Sequence, residues 1–317
     1  MSEPDDPHAP QDAPPPVQSP EEIFPSPMAA AMLSLAGLFA SSFIASLALA
    51  SGLVGETSIM AAMGIGSALG LGGVASLAAQ RTPQPHAERL GLQGFSPNLL
   101  SALLCLLPVI FLVSELDNYW RGLMPSSPEF DALREELEAL MSSDSPFALA
   151  QTSIVALGIV PVVEGFFFFG VILQGLVARM GRLRGLLLTA VLYSLVHFPA
   201  SGAPGDSVVP LTTWLTLGGL MGLARLASGS ILPVILLASA FSALHLAADL
   251  WREAMPIAGF NAPGDHTSWL ILLPALISVW LGVRQLWQEA LTRPVMIPIP
   301  KPVPGDDHEE DDSGFFF

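Results

Sequence analysis

Apolar residues run in blocks of about twenty along most of this chain, separated by short stretches that hold the prolines and most of the charge. At ~1.5 Å per residue such a block crosses the ~30 Å of a bilayer's hydrocarbon. The blocks predict eight membrane-spanning helices, at about 28–54, 58–79, 98–113, 147–178, 185–198, 208–224, 230–250 and 268–283. The second is rich in Gly and Ala, which suits close approach of helix backbones. One segment, 127–142, has a different pattern. Phe130, Leu133, Leu137, Leu140 and Met141 recur at helical spacing while Glu135, Glu136 and Glu138 take other faces, which predicts an amphipathic helix lying on the membrane surface. The expected fold class is all-α: a polytopic membrane helix bundle over 28–291 with about eight transmembrane helices.

Composition supports a lipid environment. Hydrophobic residues make up 51% of the chain and charged residues only 13%, against roughly 25% charged in soluble domains. The net charge of -16 belongs largely to the ends: six of the 28 acids lie in 1–27 and six more in Asp306–Asp312. Residues 1–27 and 292–317 are therefore read as acidic, Pro-rich tails, the first of them disordered. There is no basic patch, so nucleic acid is not an expected partner. Cys105 is the single cysteine, which leaves no internal disulfide and no Cys metal cluster. The N-terminal region lacks a basic start leading into an apolar stretch, so the first helix is expected to be retained.

Nine of the twelve basic residues fall on one side of an eight-span topology that places both termini in the cytoplasm. Eleven Arg to one Lys, with high Ala and Gly, is a bacterial coding bias and points to the cytoplasmic membrane. No internal repeat is evident, which weakens a transporter reading.

Ionisable residues inside spans are read as functional by default. Glu164 lies in the fourth block, His197 in the last turn of the fifth, and His245 and Asp249 in the seventh. At ~1.5 Å per residue the Glu and the two His lie roughly 18–22 Å from the cytoplasmic ends of their helices, and so share one level. A Glu with two His is also a plausible zinc shell, although no H-E-x-x-H helix is present.

Glu164-Gly165-Phe166-Phe167-Phe168-Phe169-Gly170 resembles the E-E-x-x-F-R-G segment of the CPBP intramembrane proteases, the family that includes the CAAX prenyl endopeptidases. Tyr193-Ser194-Leu195-Val196-His197 resembles its F-x-x-x-H, and Gly229-Ser230-Ile231-Leu232-Pro233 its G-S-x-x-P. The resemblance covers roughly 145–250. It implies hydrolysis of a peptide bond in a membrane-associated polypeptide, such as a prenylated protein or a leader peptide. Glu164 would activate a water, His197 would bind the water or oxyanion, and His245 and Asp249 would complete the site. The implied scheme needs no cofactor, with zinc on Glu164, His197 and His245 the lesser option.

The chain departs from the motifs at Gly165, where the second Glu is expected, and at Phe169, where the Arg is expected. It also departs at Ala238 and Ser242, where H-x-x-x-N would fall. His245 and Asp249 supply an H-x-x-x-D seven residues later. These departures leave open a catalytically inactive relative that binds or scaffolds membrane partners. The phenylalanine run Phe166–Phe169 is expected on lipid-facing and packing surface.

Overall fold

The computed structural model describes residues 23–52, 54, 59–124, 127–130, 132, 146–197, 204–262 and 266–293. Most of the expected amphipathic helix at 127–142, and nearly all of both expected tails, lie outside the described residues. Among the described residues eight helices of 15 residues or more follow one another: α1 Pro27–Ala50, α2 Ile59–Ala79, α3 Pro97–Leu123, α4 Pro146–Met180, α5 Arg182–Val196, α6 Pro204–Ser228, α7 Leu232–Leu250 and α8 Trp269–Thr292. The protein is an all-α polytopic helix bundle.

Seven of these helices are long and apolar enough to cross a membrane. The exception is α5, at 15 residues, or roughly 22 Å. It begins after Gly181, whose φ of 81° makes the turn out of α4, and it stops at His197. Gly185 then lets α5 lie against the backbone of Val177 on α4. The expected fifth span is thus a short helix held among longer ones.

Local chemistry explains the other elements. Ser26 caps α1, its hydroxyl accepting from the Ala29 N–H at 3.2 Å, with Pro27 in the first turn. Along α1, Met28, Met32, Phe39 and Phe43 are exposed, which suits a lipid-facing stripe. On α2, Gly66 and Gly70 lie directly on the α1 backbone at Ser41, where a Cβ would collide. This is the close approach expected from its Gly and Ala content.

Helix α4 is the centre of the bundle, and the phenylalanine run corrects the sequence expectation. Phe167, Phe168 and Phe169 are fully buried core residues. Three consecutive helical side chains point in three directions, so all three are covered only where neighbours surround the helix. Phe167 meets Gly37 of α1, Phe168 meets the Tyr193 ring of α5, and Phe169 faces Gly222 of α6.

Two π-helical stretches, Val155–Ile159 and Gly165–Ile172, interrupt α4 on either side of Val160–Glu164. Pro161 has no N–H to offer the Leu157 carbonyl four residues back. That carbonyl instead accepts from Ser239 Oγ on α7 at 2.7 Å. The start of α7 is fixed separately: Gly229 turns at φ 69°, and the Ile231 N–H donates to the Gly91 carbonyl at 2.9 Å. Ser230 Oγ donates to the Gln93 carbonyl. The buried Arg225 of α6 donates to the carbonyls of Phe169 (3.1 Å) and Arg89 (2.9 Å), fastening the α2–α3 connection to the bundle.

The α7–α8 connection is fastened to α3. Asn118 donates to the Gly259 carbonyl at 2.6 Å, and the Thr267 N–H donates to Glu115 at 2.8 Å.

Candidate active site

Glu164 is the last residue of the α-helical turn between the two π stretches of α4, and His197 is the C-terminal cap of α5. A π stretch adds a residue to a helical turn and changes which side chains face a neighbour. Here it delivers Glu164 towards α5. His197 Nε2 lies 3.1 Å from Glu164 Oε1. Their side chains are only 17% and 15% exposed.

The surroundings limit where protons can be. The His197 N–H donates to the Ser194 carbonyl at 3.2 Å. The Tyr193 carbonyl therefore stays free of that helical bond and meets His197 Nδ1 at 2.9 Å. A carbonyl only accepts, so Nδ1 carries a hydrogen. The Tyr193 hydroxyl donates to Glu164 Oε2 at 3.0 Å. The Oε1–Nε2 contact then needs one proton, as imidazolium with carboxylate or as imidazole with carboxylic acid. Both arrangements are neutral as a pair, which makes burial in an apolar bundle tolerable.

Aromatic rings complete the enclosure. The Trp214 ring of α6 stacks on His197 with centroids 4.1 Å apart and planes 22° from parallel. A π face over the imidazole favours its cationic form. Tyr193 contacts Phe168, Phe169 and Trp214 as well as His197. Beside Trp214, Thr213 donates to Asp117 of α3 at 2.8 Å.

His245 and Asp249 are not brought to this pair. Both are exposed, and Asp249 lies 3.5 Å from Arg252. The register of α7 is the reason. A Cβ on Gly165 would meet Ile235 at 3.0 Å, and Ser239 is tied to Leu157. His245 comes ten residues after Ile235, roughly 15 Å further along α7. The anchors at Gly229 to Ile231 oppose a slide of two turns. Ala238 packs against the core cluster that contains Phe167 to Phe169. Ile235 also fills the space beside Gly165 where the motif has its second carboxylate.

The donor set for zinc is accordingly incomplete. Among the described residues no three His, Cys, Asp or Glu side chains are grouped to hold a metal. Glu164 and His197, already hydrogen bonded to each other, are one ligand short of the usual three-residue catalytic shell.

Tyr193 and Trp214 are the members the sequence reading missed. Tyr193 precedes His197 by four residues on one helix, so both occupy one face, and that spacing could have found it. Trp214 lies on another helix and has no local signal.

A buried carboxylate–imidazole pair on consecutive helices of a polytopic bundle is the candidate acid–base site. Residues 146–244 match the family model described as type II CAAX prenyl endopeptidase, Rce1-like. The match starts at the first residue of α4, takes in both members of the pair, and ends one residue before His245. This stretch is similar to that family, one of membrane proteases, and the similarity agrees with the CPBP resemblance of its motifs. No curated protein and no solved structure matches the chain.

Proposed function

We propose that the protein is an intramembrane endopeptidase, using Glu164 to activate a water against a peptide bond of a membrane-associated polypeptide. The observation that carries this reading is the direct bond between Glu164 and His197 inside the matched segment. In the working state a water takes the place of that bond. Glu164 accepts a proton from the water as its oxygen attacks the carbonyl carbon. His197 Nε2–H donates to the developing oxyanion. When the C–N bond breaks, the proton held on Glu164 passes to the leaving amine. His197, backed by Trp214, is suited to be the cationic partner. The scheme runs without a metal.

An apolar cavity of about 500 Å³ lies between α2 and the first part of α4, bounded by Gly64, Ala68, Leu69, Phe147, Ile154 and Ile159. It ends five residues before Glu164 and suits the apolar part of a membrane-anchored substrate. We place the protein in the bacterial cytoplasmic membrane; both termini lie inside, as the basic residues suggest, if the 15-residue α5 crosses together with the seven longer helices.

The test compares wild type, Glu164→Gln and His197→Ala in nanodiscs on a prenylated C-terminal peptide and its unprenylated counterpart. Loss of cleavage in both variants supports the reading; unchanged cleavage ends it. A second reading, an inactive relative that binds partners, draws on Ile235 filling the space beside Gly165. It requires wild type to bind such a peptide and leave it intact.

A further inference from the structure

Tyr193 occupies the position that F-x-x-x-H gives to phenylalanine, so this chain carries a hydroxyl where the motif has none. Two motif positions that would place charge near Glu164 have meanwhile lost it. Gly165 is packed against Ile235, and Phe169 is fully buried. The Glu164 carboxylate has two oxygens. His197 engages Oε1, and the Tyr193 hydroxyl engages Oε2 at 3.0 Å.

The same residue also holds the histidine. The Tyr193 carbonyl meets His197 Nδ1 at 2.9 Å, which fixes the ring's orientation and presents Nε2 to the carboxylate. Tyr193 is 2% exposed and packed by Phe168, Phe169 and Trp214, while Gly218 of α6 leaves room for its ring. A buried, ring-locked hydroxyl has few other partners to choose, so the bond to Glu164 is its resting state.

We propose that Tyr193 is a positioning residue for the reaction: its hydroxyl orients Glu164 and its backbone carbonyl orients His197, in place of the charged partners that Gly165 and Phe169 no longer supply. The inference rests on the reading of Glu164 as the base. While Tyr193 holds Oε2, Oε1 stays directed at the imidazole and at the place a water would enter. Without the hydroxyl the carboxylate is free to rotate about its last torsion, and fewer encounters find it aligned.

The test is Tyr193→Phe, which keeps the ring, its packing and the backbone carbonyl, and removes one oxygen. Thermal unfolding in nanodiscs confirms the fold. Two readouts follow. Infrared difference spectra of each protein against its Glu164→Gln counterpart isolate the Glu164 carboxyl band, which should move when the hydroxyl is removed. On a prenylated peptide, kcat should fall about tenfold, the scale of one hydrogen bond to a charged group, with KM unchanged. A merely structural bond would move the band and leave kcat unchanged.

An unmoved band, or a kcat within twofold of an active wild type, overturns the role of Tyr193 and leaves the protease reading standing. If wild type and Glu164→Gln cleave equally, the protease reading fails instead, and the infrared band alone decides whether the hydroxyl holds the carboxylate.

Discussion

Ser239 of α7 donates a hydrogen bond to the Leu157 carbonyl of α4, the carbonyl that Pro161 leaves without its usual helical donor. One proline thus sets the alignment of two helices. Ser239→Ala should strand that carbonyl in an apolar setting and lower stability by about 1 kcal/mol, the scale of interhelical hydrogen bonds in membranes. Thermal unfolding in a fixed detergent measures it. Ser239→Thr, which keeps the hydroxyl, should lose less.

The same alignment predicts a silent pair. His245→Ala and Asp249→Ala should leave peptide hydrolysis within twofold of wild type, because both side chains are exposed and lie beyond the Glu164–His197 pair. Parallel assays of the two variants check this. A hundredfold loss in either would mean that α7 moves during turnover.

Glu164→Gln and His197→Ala should each lower kcat by about 10² to 10⁴, the usual range for a lost general acid or base. Their unfolding temperatures should move much less for the Gln variant, since an amide can still hydrogen bond to Nε2. Single-turnover cleavage separates loss of chemistry from loss of binding.

Trp214→Leu removes the ring stacked on His197. Stacking of this kind is worth about 0.5–1.5 kcal/mol, so hydrolysis should fall roughly three- to tenfold with the substrate's KM little changed. Trp214→Phe should recover part of the loss.

Arg225→Met should be the most damaging change to the scaffold. It removes both guanidinium donors and leaves the Phe169 and Arg89 carbonyls buried without them. At ~1–3 kcal/mol for each stranded group, the variant should unfold at a markedly lower temperature or fail to accumulate.

Much of the fold was legible because the bilayer imposes a simple rule: long apolar runs become helices. Seven of the eight runs form helices long enough to cross. The run at 185–198 gave a 15-residue helix because Gly181 and His197 bound it tightly, and hydropathy does not register how deeply a helix is enclosed by its neighbours. For the same reason Phe167 to Phe169, which read as lipid-facing and packing surface, are packing surface throughout.

At the site, Glu164 and His197 were legible as ionisable residues in apolar runs, and they do touch. Tyr193 was within reach by its spacing. Trp214 depends on how α6 packs on α5, which no local pattern encodes. His245 had the expected residue type, but its placement depends on helix alignment. That alignment comes from Pro161, Ser239 and the Gly229 turn, three small features distant from the motif.

The two π-helical stretches of α4 act as slack in a taut rope. Each takes up a surplus residue within one widened turn, so the helix on either side keeps nearly the phase of unbroken winding. Deleting Gly158 would close the wider turn and leave Phe147 and Ile154 on the cavity side and Glu164 towards His197. The acid–base pair and the surface that receives an apolar chain therefore keep their relative bearing through a change in length there, whereas the same deletion in a regular turn of α4 would rotate one against the other by about 100°.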